Sequence, residues 1–172
     1  TEFPTLMVGR RLDDRRINSK AEASVPNANL DVLSVVKSCQ IIGNEMDFSK
    51  LLSQIVFLLI ENAGAERGHV FLKSDDQMVL RASSTGTRPE DVMILNRKLD
   101  AVETVSITLV KYVARTLETV VIDDAQTNEL VRNDMYVRMA GCKSILCLPI
   151  VNKGQLFGVI WLENNRTTEV FS

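Results

Sequence analysis

Two almost wholly apolar runs separated by a short polar break occupy residues 144–164, SILCLPIVNKGQLFGVIWLEN. Within each run, residues that point to opposite sides of an extended chain are both apolar, as Leu146, Cys147 and Leu148 show. A strand with one side in water alternates apolar and polar residues, so this pattern predicts strands covered on both sides. The break, Asn-Lys-Gly at 152–154, predicts a tight turn. The segment therefore predicts a hairpin near the centre of a sheet that lies between helical layers.

Two segments with helical spacing precede the other strands. In the first, residues 30–42, apolar residues recur three or four positions apart. In the second, Asp47 is predicted as the N-cap, an apolar face begins at Phe48, and Gly64 is predicted to end the helix. This apolar arc is wider than one helix face requires, which favours a homodimer in which two chains share these helices. The residues predicted at that interface are Phe48, Leu52, Val56, Phe57 and Ile60.

The rest of the chain predicts short strands and helices. RGHVFLK and QMVLRASS flank the polar SDD and predict a first hairpin, and TGTRPEDV predicts a looser segment after it. Helical spacing returns at 107–117, TVVID predicts a short strand, and a polar loop leads into a short helix that ends at Gly141. This order of elements predicts an α+β domain around an antiparallel sheet.

The composition indicates one ordinary domain. The chain has 172 residues, 45% of them hydrophobic and 24% charged, and its net charge of -2 gives no attraction to nucleic acid. The longest apolar run, 55–60, is far shorter than the roughly 18 to 20 residues of a membrane span. No membrane partner is expected, and the predicted location is the cytoplasm. Residues 1–29, which are charged and then small and polar, predict a linker or N-terminal arm before a domain at 30–172.

Three parts of the sequence resemble GAF domains, the small-molecule sensor modules of signalling proteins. They are LDVLSVVKSCQIIGNEMDFSKLLSQIVFLLIENAGAERGHVFL, VKYVARTLETVVIDDAQTN and VRMAGCKSILCLPIVNKGQLFGVIWLENN. The likeness is strongest to GAF domains of multi-domain sensor histidine kinases, with some likeness to those of cyclic-nucleotide phosphodiesterases. The resemblance implies a GAF-like central antiparallel sheet, with long helices on one face and short helices roofing a pocket on the other. It also implies a regulatory sensor domain of a larger signal-transduction protein, without enzyme activity in this segment and without its closing helix.

The resemblance further implies where a ligand would lie. Its polar contacts are expected from the loop and helices over the sheet: Lys111, Asp123, Asp124, Asn128, Asp134 and Tyr136. Asp123 and Asp124 equally suit turns, and Lys111 equally suits a solvated position. The ligand is not identified by the sequence. The alternative function is a GAF domain that binds no small molecule and acts as a dimerisation or interaction platform.

The cysteines and the single histidine give little sign of chemistry. Cys39 and Cys147 lie in apolar patterns that predict packing, and packing is also favoured for Cys142, although its neighbour Lys143 predicts a more exposed, electropositive position. His69 is predicted on the first strand as a core histidine, and no spacing suggests a metal site or a disulfide framework. A single histidine argues against haem. The resemblance implies no bilin, because the helix before the last hairpin lacks the cysteine and histidine of bilin-binding GAF domains. No cofactor is therefore expected.

Cyclic-nucleotide-binding GAF domains carry an Asn-Lys pair after the last strand, followed by a phenylalanine and an acidic pair. The segment ENNRTTEVF offers Asn165 and Phe171 in comparable places, but Arg166 stands where lysine is expected. This difference weakens the resemblance to cyclic-nucleotide binders.

Overall fold

The computed structural model describes residues 45–172 and, in its first helix, side chains from Phe48 onward. The predicted arm at 1–29, the predicted helix at 30–42 and Cys39 lie outside the described residues. The helices are α1 (Glu45–Ala63), α2 (Ile107–Thr116) and α3 (Met135–Ala140), with 3-10 turns at Pro89–Asp91 and Leu99–Ala101. The strands are β1 (Arg67–Ser74), β2 (Gln77–Ser84), β3 (Val92–Lys98), β4 (Val120–Ile122), β5 (Ser144–Asn152) and β6 (Gln155–Asn164).

The strands form one antiparallel sheet in the order β3-β2-β1-β6-β5-β4. The β5–β6 hairpin turns at Lys153 and Gly154, whose φ angles of 51° and 76° are those of a type I′ turn. β6 pairs with β1 as well, and Gly158 permits a close approach, because a Cβ there would lie 2.2 Å from the carbonyl oxygen of Phe71. The predicted hairpin is confirmed, with β6 at the centre of the sheet.

The helix α1 covers one side of the sheet. Its side chains pack with apolar residues of β1 and β6, among them Val70 and Ile160. The predicted end of the helix is confirmed: Gly64 has a φ of 68°, and the Ala65 N–H donates to the Ile60 carbonyl at 3.1 Å, as in a Schellman motif. The predicted start is wrong, because Asp47 lies inside Glu45–Ala63 rather than before it.

The side of α1 that was predicted to form a homodimer interface is used within the chain. Phe48, Leu52, Val56 and Ile60 are all buried against the sheet, and Phe57 is half-buried. The assignment of those four side chains to a surface between two chains is therefore corrected. Leu58, which is 50% exposed, marks the other side of the helix. The homodimer itself stays a prediction.

The shorter helices α2 and α3 cover the opposite side of the sheet, which we call the roofed side. Val110 and Val113 of α2 and Val137 of α3 pack on it with Phe71 and Trp161. The predicted ends of both helices hold to within one residue, with Gly141 closing α3 at a φ of 66°. The antiparallel sheet with short helices over one side is as the resemblance implied, and α1 covers the other side.

One strand was missed. β3, Val92–Lys98, falls in the stretch after the first hairpin that was not assigned to any element, and it pairs with β2 at the edge of the sheet. Its side chains show no clear alternation of burial, since the strand is largely exposed. In the described part of the chain, no helix is long and apolar enough to cross a membrane.

Candidate functional site

A buried carboxylate lies at one end of the roofed side. Glu163, on β6, is fully buried, and its oxygens accept hydrogen bonds from the Tyr136 hydroxyl at 2.7 and 2.9 Å. The Trp161 indole N–H donates to Glu163 Oε2 at 2.8 Å, and the Cys142 Sγ lies 3.6 Å from the same oxygen. An Arg67 guanidinium nitrogen lies 3.5 Å from Glu163 Oε1. We call Arg67, Tyr136, Cys142, Trp161 and Glu163 the Glu163 cluster.

The fold brings these five residues together from three elements, β1, α3 and β6, and from the connection between α3 and β5. The register of the central strands places Arg67 of β1 opposite Glu163 of β6, and Trp161 lies two residues earlier on the same side of β6. Tyr136 comes from α3, where its ring meets that of Trp161 edge to face at 6.3 Å. Gly141 ends α3, so that Cys142 enters the core immediately before β5. The cluster therefore joins a roofing helix to the two central strands.

The Glu163 carboxylate is surrounded by hydrogen-bond donors. Burying a charge is costly unless it is paired and hydrogen-bonded, and here every neighbour of Glu163 is a donor. Burial raises the pKa of both the Tyr136 phenol and the Cys142 thiol well above their usual values, and the nearby carboxylate raises them further. Both groups therefore keep their protons at neutral pH and can donate to Glu163. Arg67, whose side chain is 39% exposed, extends from solvent to this buried charge.

His69 lies two residues along β1 from Arg67, on the same side of the sheet. It is 1% exposed, and its Nδ1 lies 2.8 Å from the Ser83 hydroxyl of β2. Its Nε2 is buried and has no hydrogen-bond partner among the described residues. Burial, with a smaller effect from Arg67, lowers the His69 pKa to about 4, so the ring is neutral at pH 7.

The two roofing helices are joined where they begin. The Ser106 hydroxyl accepts from the Leu109 N–H at 3.3 Å and so caps α2, while Asp134 Oδ1 accepts from the Val137 N–H at 3.2 Å and caps α3. Ser106 also donates to Asp134 Oδ2 at 2.6 Å. A single hydrogen bond therefore links the start of one helix to the start of the other.

Comparison with known proteins decides the family. The family model described as GAF domain matches residues 47–172, which is well over half of the chain. This chain belongs to the GAF domain family. The resemblance predicted from the sequence is confirmed, and with it the assignment as a regulatory domain.

Some proteins resemble this GAF domain in sequence and others in structure. A stretch of 66 residues is 41% identical to hybrid signal transduction histidine kinase G of Dictyostelium discoideum, which supports the resemblance to sensor kinases. That match covers 38% of this chain and 2% of the kinase. The GAF domain region of a Geobacter sulfurreducens PCA protein has a TM-score of 0.58 at 17% identity, over 77% of this chain and 85% of that one.

A second solved structure, type II free methionine-R-sulfoxide reductase from Thermoplasma acidophilum, has a TM-score of 0.51 at 13% identity. It covers 73% of this chain and 80% of that chain. At such identities the two structural likenesses concern the fold alone.

The ligand residues predicted for this GAF domain are not all brought together. Asp134 and Tyr136 lie at the start of α3, and the Tyr136 hydroxyl reaches the Glu163 cluster. Lys111 is exposed and pairs with exposed Asp100 at 2.6 Å. Ligand binding by the predicted set stays a prediction.

The other three predicted residues lie in the connection from β4 to α3 and make local contacts. Asp123 is exposed, and its carbonyl accepts from the Glu169 N–H at 2.9 Å. Asp124 Oδ1 accepts from the Gln126 N–H at 3.0 Å, and Asn128 Oδ1 accepts from the Leu130 N–H at 2.9 Å. Asp124 and Asn128 thus stabilise turns, as the sequence had equally allowed for Asp124.

The sequence did not single out Glu163 or Arg67. Glu163 comes at the end of an apolar run, where a polar residue usually marks the exposed end of a strand. Its position two residues after Trp161 was the available signal, because it places Glu163 on the same buried side of the strand. Cys142 was predicted in a more exposed position, and this is wrong: it is fully buried. The reason is that Gly141 turns the chain inward, so Lys143 does not determine the surroundings of the thiol.

Two of the residues compared with cyclic-nucleotide binders contact the connection between α1 and β1. Arg166 forms an ion pair with Glu66, in the connection between α1 and β1. The Asn165 N–H donates to the same carboxylate at 2.9 Å. In this GAF domain, the arginine that replaces the expected lysine therefore has a partner of its own.

Proposed function

We propose that this chain is the regulatory sensor domain of a larger signal-transduction protein, a cytoplasmic sensor histidine kinase. The 41% identity with a hybrid signal transduction histidine kinase carries this proposal. The matched stretch is a small part of that kinase. The kinase reaction of the parent protein is therefore part of the proposal, and it is not assigned to this domain. The expectation that this segment is not an enzyme is part of the same proposal.

The buried cysteines support a role without catalysis. Cys142 and Cys147 are both fully buried, and burial raises the pKa of each thiol well above its usual value. A thiolate is the nucleophilic form of cysteine, so neither residue is set up to attack a substrate.

The sensing role is proposed for the roofed side of the sheet. The supporting observation is the concentration of buried polar groups there, which includes Glu163, His69 and Ser83. Tyr136 ties α3 to the sheet through Glu163, and Ser106 ties α2 to α3 through Asp134. A ligand that binds between sheet and helices with different affinity in two arrangements of these helices would shift their populations.

Mass spectrometry of the purified protein tests this role. A native spectrum and a denaturing spectrum of the same sample are compared. We expect a small-molecule mass that is present only in the native spectrum, and an increase in melting temperature when that molecule is added back. An empty protein that no member of a small-molecule library stabilises would contradict the sensing role.

A ligand-free interaction platform is the second candidate function. Exposed apolar side chains favour it: Leu130, Met135 and Met139 are 63%, 76% and 82% exposed along one short stretch of the roof. Such a group of apolar side chains is typical of a contact surface. Under this alternative, a Met135→Ser and Met139→Ser double variant should lose partner binding, and the small-molecule library should have no effect.

A further inference from the structure

We propose that His69 contacts the ligand of the roofed side through Nε2, and that this ligand is an uncharged small molecule presenting a carbonyl-type oxygen. The inference rests on the proposed sensing function and names the chemistry of the molecule sensed. It is carried by the hydrogen bonds of His69, by its burial and by the charge balance around it.

The hydrogen bond to Ser83 fixes which nitrogen of His69 carries the proton. A neutral imidazole has one N–H, and a serine hydroxyl can either donate or accept. The Ser83 hydroxyl makes one side-chain contact, with His69 Nδ1 at 2.8 Å. If Ser83 donates to Nδ1, its proton is used and Nε2 carries the imidazole proton; in the reverse arrangement, the buried serine proton would lose its acceptor. The arrangement that satisfies Ser83 therefore makes Nε2–H a donor.

This donor is buried and lacks an acceptor among the described residues. The two nitrogens of an imidazole direct their hydrogen bonds away from each other, so Nε2 does not face the Ser83 hydroxyl that contacts Nδ1. Nearly all buried polar groups in proteins have a hydrogen-bond partner, so an unpartnered donor on the roofed side is an exception that needs an explanation. A ligand oxygen that accepts from Nε2–H supplies one.

The charges near His69 favour an uncharged ligand. Arg67 and Glu163 form one ion pair, in which a single cation balances a single anion. His69 is neutral at pH 7, so it offers a proton without adding charge. An anionic ligand would add a second buried negative charge to the side of the sheet that holds Glu163, and Arg67, the cation whose charge acts on His69, already pairs with Glu163. An amide or ketone oxygen accepts the same hydrogen bond without adding a charge.

The chain has one histidine, so its imidazole gives an unambiguous signal in the protein labelled with ¹⁵N-histidine. The test follows this signal while acetamide or acetate is added at equal concentrations. These two probes have nearly the same shape, one uncharged and the other anionic. We expect the spectrum of the free protein to show the tautomer protonated at Nε2. Acetamide should shift the NMR resonances of Nε2 and of its proton, and acetate should leave both resonances unchanged.

Variants make the test specific to His69. Lys73→Ala, at an exposed position on the same strand, should respond to acetamide as the wild type does. His69→Phe should lose any stabilisation by acetamide in thermal unfolding. Because the NMR test uses the wild-type chain, its result stands even if His69→Phe fails to fold.

Several results would overturn the inference. They are a tautomer protonated at Nδ1, a response to acetate equal to that to acetamide, and no response to either probe. If native mass spectrometry finds a bound molecule while the His69 signal is the same before and after its removal, the sensing function stands and the role of His69 is wrong. If no molecule binds at all, the proposed function has failed by itself.

Discussion

At the scale of single residues, the Tyr136 hydroxyl provides the shortest hydrogen bond to the buried Glu163 carboxylate, at 2.7 Å. The substitution Tyr136→Phe keeps the ring and removes this donor. A buried carboxylate that loses a hydrogen bond retains its desolvation cost, so we expect the free energy of unfolding to fall by about 1 to 3 kcal/mol. Urea unfolding followed by Trp161 fluorescence measures this change.

The chain contains a matched control for that substitution. The Tyr112 hydroxyl contacts Glu118 at 3.4 Å in an exposed pair. We expect Tyr112→Phe to change the free energy of unfolding by less than about 0.5 kcal/mol, as is usual at the surface. Equal effects of the two substitutions would show that the Glu163 cluster is not held by Tyr136.

His69 gives folding a predictable dependence on pH. Its pKa is about 4 in the folded protein, because burial opposes the charged form, and about 6.5 in an unfolded chain. Between these values the unfolded state binds more protons, so stability is complete above about pH 6.5 and falls as the pH is lowered toward 4, by at most about 1.4 kcal/mol per pH unit. Chemical unfolding at several pH values should show this slope in the wild type.

The variant His69→Phe isolates the contribution of the histidine. Protonation of carboxylates also lowers the stability of the protein on acidification, but the same carboxylates are present in the variant. The difference between the two proteins in the dependence of stability on pH from 6.5 to 4.5 should therefore report His69. An identical dependence in both proteins would contradict the lowered pKa.

The residues of the roofed side were only partly predictable from the sequence. The resemblance implied that Tyr136 and Asp134 lie over the sheet, and both lie at the start of α3; their contact with a ligand stays a prediction. Glu163 and Arg67 were missed because their meeting depends on the pairing of β1 with β6, residues that are 96 positions apart in the chain. No local sequence pattern indicates which residues of β1 and β6 pair with each other.

At the scale of elements, the contact between β1 and β6 depends on the absence of a side chain at Gly158. A Cβ at this position would lie 2.2 Å from the Phe71 carbonyl oxygen and 3.0 Å from Leu72 Cδ2. The backbone of a central strand cannot move away cheaply, so we expect Gly158→Ala to lower the free energy of unfolding by about 3 kcal/mol or more. Thermal unfolding of the purified variant measures the loss.

The comparison for this variant is Gly154→Ala in the β5–β6 turn. Gly154 has a φ of 76°, and a Cβ there would meet no atom within 4 Å. Its substitution should cost only the strain of a left-handed alanine, about 1 to 2 kcal/mol. If Gly158→Ala were no worse than Gly154→Ala, the close approach of β6 to β1 would not limit the packing.

The predictability of the elements followed their burial. The β5–β6 hairpin was predicted because both sides of its strands are apolar, and α2 was predicted because its apolar residues recur at helical spacing; burial imposes both patterns. β3 was missed because it is an edge strand and is largely exposed, so burial imposes no repeat on its sequence. In α1 the wide apolar arc was real, but it covers its own sheet, and a sequence alone does not tell which surface such an arc meets.

At the scale of the whole molecule, we expect the predicted homodimer to use the outer side of α1, because the inner side is covered by its own sheet. Leu58 is 50% exposed there, and exposed Gln54 lies one turn away. We expect the protein to sediment as a dimer, and Leu58→Glu to weaken association about tenfold or more, a loss of at least about 1.4 kcal/mol. The control Gln54→Glu adds the same charge without removing an apolar contact. Sedimentation profiles that are alike for both variants would exclude this side of the helix.

The side chain of Asn164 connects the two ends of the described domain. Its amide nitrogen donates to the Gly64 carbonyl, where α1 ends, at 3.1 Å, and its oxygen accepts from the Arg166 and Thr167 N–H groups, where the chain leaves β6. The helix that enters the domain and the segment that leaves it are therefore fastened at one corner. A rotation of the entering helix about its axis would act on the departing chain through this one side chain at the end of β6. In a longer protein, such a corner would transmit torque between the segments that flank the domain.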